Sequence, residues 1–346
     1  MKALYSLALG LALAGGLRAQ DAKPYLVKDF DAAAVSAARL ETAGGNISVQ
    51  GDAGNARLEV YVQPSNGRDK TISAEELKQR LERDFDLSID VSGGKITAIA
   101  KPKSNRINWN KSVSVSFKLY ASSRLSTDLS TSGGNISLDN LSGSKQQFRT
   151  SGGNLHVNRL SGDIHGSTSG GNVHMNQCSD KIDLSTSGGN IHAENSKGTI
   201  KLSTSGGNLV LSALDGKIDA GTSGGNVEGT DVSGELITST SGGNVRLKDI
   251  KGSLRASTSG GGISAEISSL GEYVKLDNSG GNISLVLPQG KGMNLNLRGE
   301  KIKAENGALN NFSGSADENN IKGTVNGGGV PVDVRSGGGR INLSVR

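Results

Sequence analysis

Thr204-Ser205-Gly206-Gly207-Asn208-Leu209-Val210-Leu211 is one copy of a phrase that returns along most of this chain. Gly-Gly pairs begin at Gly133, Gly152, Gly170, Gly188, Gly206, Gly224, Gly242, Gly260 and Gly280. The steps between them are 19, then 18 six times, then 20. A period this regular means one supersecondary unit copied end to end. The residue after each pair reads Asn135, Asn154, Asn172, Asn190, Asn208, Asn226 and Asn244; Gly262 breaks the series and Asn282 resumes it. Then comes a branched aliphatic: Ile136, Leu155, Val173, Ile191, Leu209, Val227, Val245, Ile263 and Ile283. Two residues on stand Leu138, Val157, Met175, Ala193, Leu211, Gly229 and Leu247. Alternation at period two describes a strand with one buried face.

A third inward position follows at Leu141, Leu160, Cys178, Ser196, Leu214, Val232 and Ile250, and then a turn with Gly143, Gly162, Gly198, Gly216, Gly234 or Gly252. A second strand places Ile164, Ile182, Ile200, Ile218, Leu236 and Leu254 inward, then Leu184, Leu202, Ala220 and Ala256, then the Thr of each Thr-Ser-Gly-Gly. The Gly-Gly corner is expected to reverse the chain through positive φ. One such coil cannot bury enough surface to offset the entropy of ordering it, so coils must stack. Stacking pairs each strand with its copy in the next coil, parallel and in register, at ~4.8 Å. The repeated Asn and Thr would then form ladders between coils. The fold class that follows is all-β: a parallel β-solenoid of 18-residue coils. An aromatic content of 3% fits its narrow interior.

Composition narrows the function classes. The chain has 346 residues and 51 Gly, but Gly does not fall at every third position, which excludes collagen. Lys2 followed by the apolar run Ala3 to Gly16 and small residues reads as a secretory signal ending at Ala19. That run is short for a bilayer, and no later stretch is long or apolar enough to cross one. Export to the periplasm, cell surface or medium is expected. Losing Lys2 and Arg18 lowers the net charge from +5 to +3, which gives no mandate for nucleic-acid binding. Cys178 is the single cysteine and has no internal disulfide partner. The chain divides into a signal peptide over 1–19, an N-terminal cap and first coils over 20–125, regular repeats over 126–290, and C-terminal coils with a cap over 291–346.

The ends are less regular. Gly44-Gly45-Asn46-Ile47-Ser48-Val49 already carries the coil phrase. Ala56 to Gln63, Leu87 to Ile99 and Val113 to Tyr120 alternate like strands. Ser73-Ala74-Glu75-Glu76 has the form of a capping box, and Leu77 and Leu81 form a stripe, so one short helix is expected over 74–84. Such an insert suits the cap that an open solenoid end needs. Trp109 falls in a loop from Ser104 to Lys111, either packed on the cap or free to bind. Gly327 to Val345 reads as a final coil, with a C-terminal cap before it.

Thr-Ser-Gly-Gly-Asn-Ile-x-Leu followed by Gly-x-Ile-x-Leu resembles the bacterial "putative adhesin" β-solenoid family, a domain of unknown function. Gly280-Gly281-Asn282-Ile283-Ser284-Leu285-Val286-Leu287-Pro288 and Ser336-Gly337-Gly338-Gly339-Arg340-Ile341-Asn342-Leu343 carry the same pattern. The resemblance spans about residues 40–345. It implies an adhesive β-solenoid at the cell envelope and supplies no catalytic residues.

The residues themselves offer little chemistry. His156, His174 and His192 lie two residues after their Asn, on the outward face, and would stack as a ladder. Two readings stand: imidazoles at ~4.8 Å sharing a transition metal, or a solvated polar face. Calcium would need an Asp in the corner, where this chain has Asn and an aliphatic residue. The outward column His165, Asp183, Lys201, Asp219, Ile237 and Arg255 alternates in charge, which suggests pairing between coils. No Ser/His/Asp set, Cys/His metal spacing or phosphate loop stands out. The reading is therefore an exported, non-enzymatic, adhesin-like or structural protein without a cofactor, meeting a glycan or a protein partner. The alternative is a β-helix polysaccharide-processing enzyme, which would need clustered outward carboxylates.

Overall fold

The computed structural model describes residues 23–66, 72–104 and 106–346. The expected signal peptide lies outside the described residues. The chain winds as a parallel β-solenoid in which each coil repeats the last one 18 residues on. Ile191 pairs with Leu209, Leu209 with Val227 and Val227 with Val245, while Ile200 pairs with Ile218 and Ile218 with Leu236. Four coils run as unbroken strands of 14 residues, Ile191–Thr204, Leu209–Thr222, Val227–Thr240 and Val245–Thr258, and the next as one of 16, Ile263–Asn278. Two strands per coil were expected there. The chain instead turns within the strand, at a left-handed residue, Asn195 (φ 51), Ala213 (φ 49), Asp231 (φ 53) or Asp249 (φ 54), and again at the turn glycine, Gly198 (φ 119), Gly216 (φ 120), Gly234 (φ 95) or Gly252 (φ 145). The next residues resume pairing at once, as Ser196 does with Leu214.

The interior is a set of columns. Leu138, Val157, Met175, Ala193, Leu211 and Leu247 are all at most 3% exposed, and so are Leu141, Leu160, Cys178, Ser196, Leu214, Val232 and Ile250. One column varies in size: Leu129, Phe148, Gly166, Leu184, Leu202, Ala220. Phe148 is buried because Gly166, its neighbour above, leaves room for the ring. A Cβ on Gly166 would stand 2.6 Å from Phe148 Cζ and 2.7 Å from Leu184 Cδ2. Close packing makes such large-small pairs interdependent.

The Thr column ties the coils together. Thr204 Oγ1 donates to the Gly189 carbonyl (2.8 Å) and accepts from the Gly207 N–H (3.2 Å). The same pair of bonds is made by Thr150, Thr168, Thr186, Thr222, Thr240 and Thr258. Each hydroxyl therefore satisfies buried backbone groups from two coils, a need that burial imposes.

The Gly-Gly corner works differently from the expectation. None of these paired glycines adopts a left-handed φ. What the second glycine supplies is close approach. A Cβ on Gly207 would lie 1.9 Å from the Gly189 carbonyl oxygen, and the same clash recurs at Gly153, Gly171, Gly189, Gly225, Gly243 and Gly261. The first glycine is roomy, with nothing nearer than 3.7 Å to a Cβ on Gly206.

Both ends close by the same device. Ala37–Thr42 lies between Lys95–Pro102 and Ser126–Thr131, and Ile47–Gln50 lies between Val113–Tyr120 and Ile136–Leu141. The segment after the first coil thus runs out beyond it and returns. Its outer pairings are antiparallel: Phe85–Ser92 on Lys95–Pro102, Arg57–Pro64 on Val113–Tyr120, and Leu26–Asp29 on Arg57–Pro64. Leu87 to Ile99, expected as one strand, is a hairpin through Gly93 (φ 57) and Gly94 (φ 73), the conformation that tight hairpins require. Helix Ala74–Asp84 begins at Ser73, whose Oγ accepts from the Glu76 N–H (3.1 Å), and it buries Leu81 against the cap strands. At the far end, Val330–Ser336 and Arg340–Val345 slot between the array and Met293–Arg298 and Lys301–Ala304. The Gly327 to Val345 coil is therefore the penultimate layer rather than the final one.

Candidate functional site

With the interior committed to packing, chemistry is left to the outward columns and the end recesses. Strand alternation puts His156, His174 and His192 in register on one outward column. The rings of His156 and His174 stack with centroids 5.1 Å apart and planes 5° apart, whereas His174 and His192 are 6.2 Å apart and tilted by 34°. Among the described residues, no group of three or more His, Cys, Asp or Glu side chains is arranged to hold a metal. The His156 pKa is pushed down by burial and then by the neighbouring His174. Glu194 Oε1 lies 3.8 Å from His192 Nε2, a carboxylate two residues along the same strand that column-by-column reading missed.

Beside the imidazoles runs a row of amides. Asn158 Nδ2 donates to Asp139 Oδ1 (2.7 Å), Asn176 Nδ2 to Asn158 Oδ1 (3.0 Å), and Asn195 Nδ2 to Asn176 Oδ1 (2.9 Å). Arg159 closes the row on Asp139 at 2.6 Å. Its left-handed residues, Arg159 (φ 52) and Asn195 (φ 51), carry side chains reaching back one coil. Residue types so unlike one another concealed this row from sequence reading.

The corner Asn residues hold the coils by a different bond. The N–H of Asn154 donates to Asn135 Oδ1 (2.7 Å), and the pattern continues through Asn172 to Asn154, Asn190 to Asn172, Asn208 to Asn190, Asn226 to Asn208 and Asn244 to Asn226, all at 2.7–2.8 Å. Side chain meets backbone at every step, and at Asn244 alone of these the Nδ2 also donates to its copy, Asn226 Oδ1 (3.4 Å). The run ends at Gly262, whose N–H donates to Asn244 but which has no side-chain oxygen to offer; Asn282 Oδ1 then accepts from the Arg340 N–H.

The alternating charge column does not pair as expected. Among the described residues no ion pair joins Asp183 to Lys201 or Lys201 to Asp219. Pairs form on other columns: Lys181 with Asp163 (3.2 Å), Lys217 with Glu235 (3.4 Å), Arg246 with Glu228 (3.5 Å) and Lys251 with Asp231 (2.7 Å). His165 Nε2 turns to Asp163 Oδ1 (2.9 Å) along its own strand. The hydrogen bond from Lys181 holds Asp163 below the usual carboxylate range, and the one from Tyr273 does the same for Glu235. Cys178 is buried, and burial pushes its thiol up to about 11. Trp109 meets Phe85 edge-on at 6.2 Å and stays 44% exposed, so it packs only partly on the cap.

A family model described as Toastrack DUF4097 matches residues 161–344, just over half of the chain. Among solved structures, the chain is similar to a "putative cell adhesion protein" from Clostridium sporogenes, at 12% identity over 93% of this chain and 98% of that one, with a TM-score of 0.19. It is also similar to a "putative adhesin" from Bacteroides fragilis, at 14% identity over 75% of this chain and 96% of that one, with a TM-score of 0.37. No curated protein matches it.

Proposed function

This chain belongs to the Toastrack DUF4097 family, and from that premise we propose that it is an exported, non-enzymatic, adhesin-like or structural protein of the cell envelope. It works by presentation. The solenoid is a stiff body whose inward residues are spent on packing and whose outward columns repeat polar groups at the ~4.8 Å strand spacing. The observation that carries the reading is the outward face of His156, His174 and His192 beside Asp139, Asn158 and Asn176, where contact groups recur from coil to coil. A repeating face suits a repeating or extended partner, a glycan or a protein, because each added unit meets an equivalent set of groups.

Hydrolysis by paired carboxylates is the competing chemistry. It needs one carboxyl with a raised pKa to act as the acid. Every described carboxylate whose pKa is moved is moved down: Glu59, Asp84, Asp163, Glu235 and Asp249.

Two measurements test the proposal. The exported product should start at Gln20, read by mass spectrometry of the envelope and medium fractions; an intact Met1 terminus in the cytoplasm would sink the export claim. The full mature chain should capture a glycan or protein on an array, and the variant His174→Ala/Asn158→Ala/Asn176→Ala should lose that capture. Capture unchanged by the variant would remove this face from the account. Release of reducing sugar from any captured polysaccharide would establish the enzyme reading instead.

A further inference from the structure

We propose that the recess between Arg298 and Arg335, at the C-terminal end of the array, binds an oxyanion carried on an acidic glycan. The inference rests on the surface-binding reading and names the ligand chemistry for one place on that surface. Met293–Arg298 and Val330–Ser336 are neighbouring parallel strands, and their register sets Arg298 directly beside Arg335. Their Cα atoms are therefore about one strand spacing apart, ~4.8 Å. Both side chains are exposed. Like charges directly opposite one another on paired strands destabilise a sheet.

The surrounding carboxylates relieve that cost only in part, because Arg298 has Asn320 and Arg335 as its strand neighbours and no carboxylate. Asp277 stands opposite Arg335 on the next strand, Asp333 shares its face, and Glu300 lines the recess. Asp333 Oδ1 accepts from Asn296 Nδ2 (2.8 Å), and Glu318, at the edge of the cap, pairs with Lys301 (3.1 Å). Among the described residues neither guanidinium forms an ion pair. Two adjacent planar donor forks with no carboxylate bonded to them match the geometry of a carboxylate or sulfate.

The shape argues for a sugar-borne anion over a small free one. A recess of about 800 Å³ is lined by Arg298, Glu300, Asn319, Asn320, Arg335 and Gly338. A second hollow of about 350 Å³, bearing Lys275, Asp277, Asn296 and Asp333, shares Arg298 and Arg335 with it. The two arginines thus stand on the ridge between two polar hollows. Inorganic phosphate would use the ridge alone. A chain of several sugars would place its acidic group on the ridge and its hydroxyls against Asn296, Asn319 and Asn320. The carboxylates in the hollows can accept hydrogen bonds from sugar hydroxyls, which a small anion without hydroxyls cannot offer.

Calorimetry on the full mature chain at low salt tests this with four probes: polygalacturonate, dextran sulfate, neutral dextran and inorganic phosphate. Polygalacturonate or dextran sulfate should bind, and whichever binds tighter identifies the anion as carboxylate or sulfate. Arg298→Gln/Arg335→Gln should weaken that binding by at least about 10-fold and flatten its salt dependence, since charge-assisted hydrogen bonds are lost. Arg298→Lys/Arg335→Lys should also weaken it, because an ammonium cannot bind bidentately. Lys248→Gln, at an exposed cation elsewhere on the array, should bind like wild type. Unfolding midpoints measured for each variant keep loss of fold separate from loss of site. Equal binding by wild type and the Gln variant overturns the proposal, as does phosphate binding that matches the polymers. If neutral dextran or a protein is captured and the acidic polymers are not, this inference falls while the surface-binding reading stands.

Discussion

Gly206→Ala and Gly207→Ala differ by one residue in position and should differ widely in effect. Neither glycine has the left-handed φ that would penalise alanine by itself. At Gly207 an added Cβ would lie 1.9 Å from the Gly189 carbonyl oxygen, 2.4 Å from its carbon and 2.8 Å from the Asn190 nitrogen. A carbon normally approaches a carbonyl oxygen no closer than about 3.3 Å. The coils would have to part by more than about 1 Å at a spacing of ~4.8 Å. Such a gap breaks the bonds that cross this corner: Asn208 N–H to Asn190 Oδ1 (2.8 Å), Thr204 Oγ1 to Gly189 O (2.8 Å) and Gly206 N–H to Ser187 O (2.9 Å). At about 1 kcal/mol each, with more for any group left buried and unpaired, the loss is about 3–5 kcal/mol. A Cβ on Gly206 meets only ordinary contacts at 3.7–3.9 Å. Its cost should stay within about 0.5 kcal/mol, and reduced freedom of the unfolded chain favours the alanine. Urea unfolding of the full chain, followed by circular dichroism, reads both as midpoint shifts at constant slope. Equal midpoints for the two variants would refute close stacking as the reason for the second glycine.

Other outcomes follow from the same geometry. Ile200→Asp places an unpaired charge at a position 0% exposed and should abolish cooperative unfolding, whereas Lys201→Asp, on the outward face, should shift the midpoint only slightly; equal tolerance would contradict the inward assignment. Gly166→Leu should clash with Phe148, and Phe148→Leu should leave a void costing about 1–3 kcal/mol. The double variant, with Leu at both positions as at Leu184, should recover most of the loss, and a double-mutant cycle that sums to zero would show the two sites to be independent. The His156 pKa is held down in the fold, so the unfolded chain takes up its proton first as pH falls. Stability should therefore drop as pH falls through the unfolded value of about 6.5 and level off below the folded one. Urea midpoints across that window should slope less in His156→Gln; identical slopes would remove the stack from the pH response.

The parts of the structure that were legible in the sequence are those where period and polarity coincide. Ile200, Leu202 and Thr204 declare a buried face by alternation, and Ser73 with Glu76 marks a helix start by side-chain reach alone. The location of the Gly-Gly corner was equally plain, but its cause was not, because glycine serves both positive φ and close approach and the letter is the same. The left-handed turn was hidden because Arg159, Gln177 and Ala213 share it with Asn140, Asn195 and Asp249. Tertiary pairing holds that conformation, so residue preference was a weak guide. Nor could the period foretell that Arg340–Val345 inserts between Ile283–Leu287 and Lys301–Ala304, since that pairing joins segments outside the repeat. At the surface, the register of the histidines followed from the 18-residue step, whereas the adjoining amide row and the Arg298–Arg335 pair depended on which strands meet.

Excising one whole coil tests the central claim most directly. Deleting residues 191–208 joins Asn190 to Leu209 and keeps every downstream side chain on its face, because a solenoid tolerates the loss of a complete unit. Deleting residues 191–199 removes half a coil and leaves the following strands without their partners. Far-UV circular dichroism and urea unfolding should find the 18-residue deletion strand-rich and cooperative, close to the parent, and the 9-residue deletion non-cooperative. Loss of cooperative folding in both, or its survival in both, would contradict a stacked 18-residue coil as the unit of this fold.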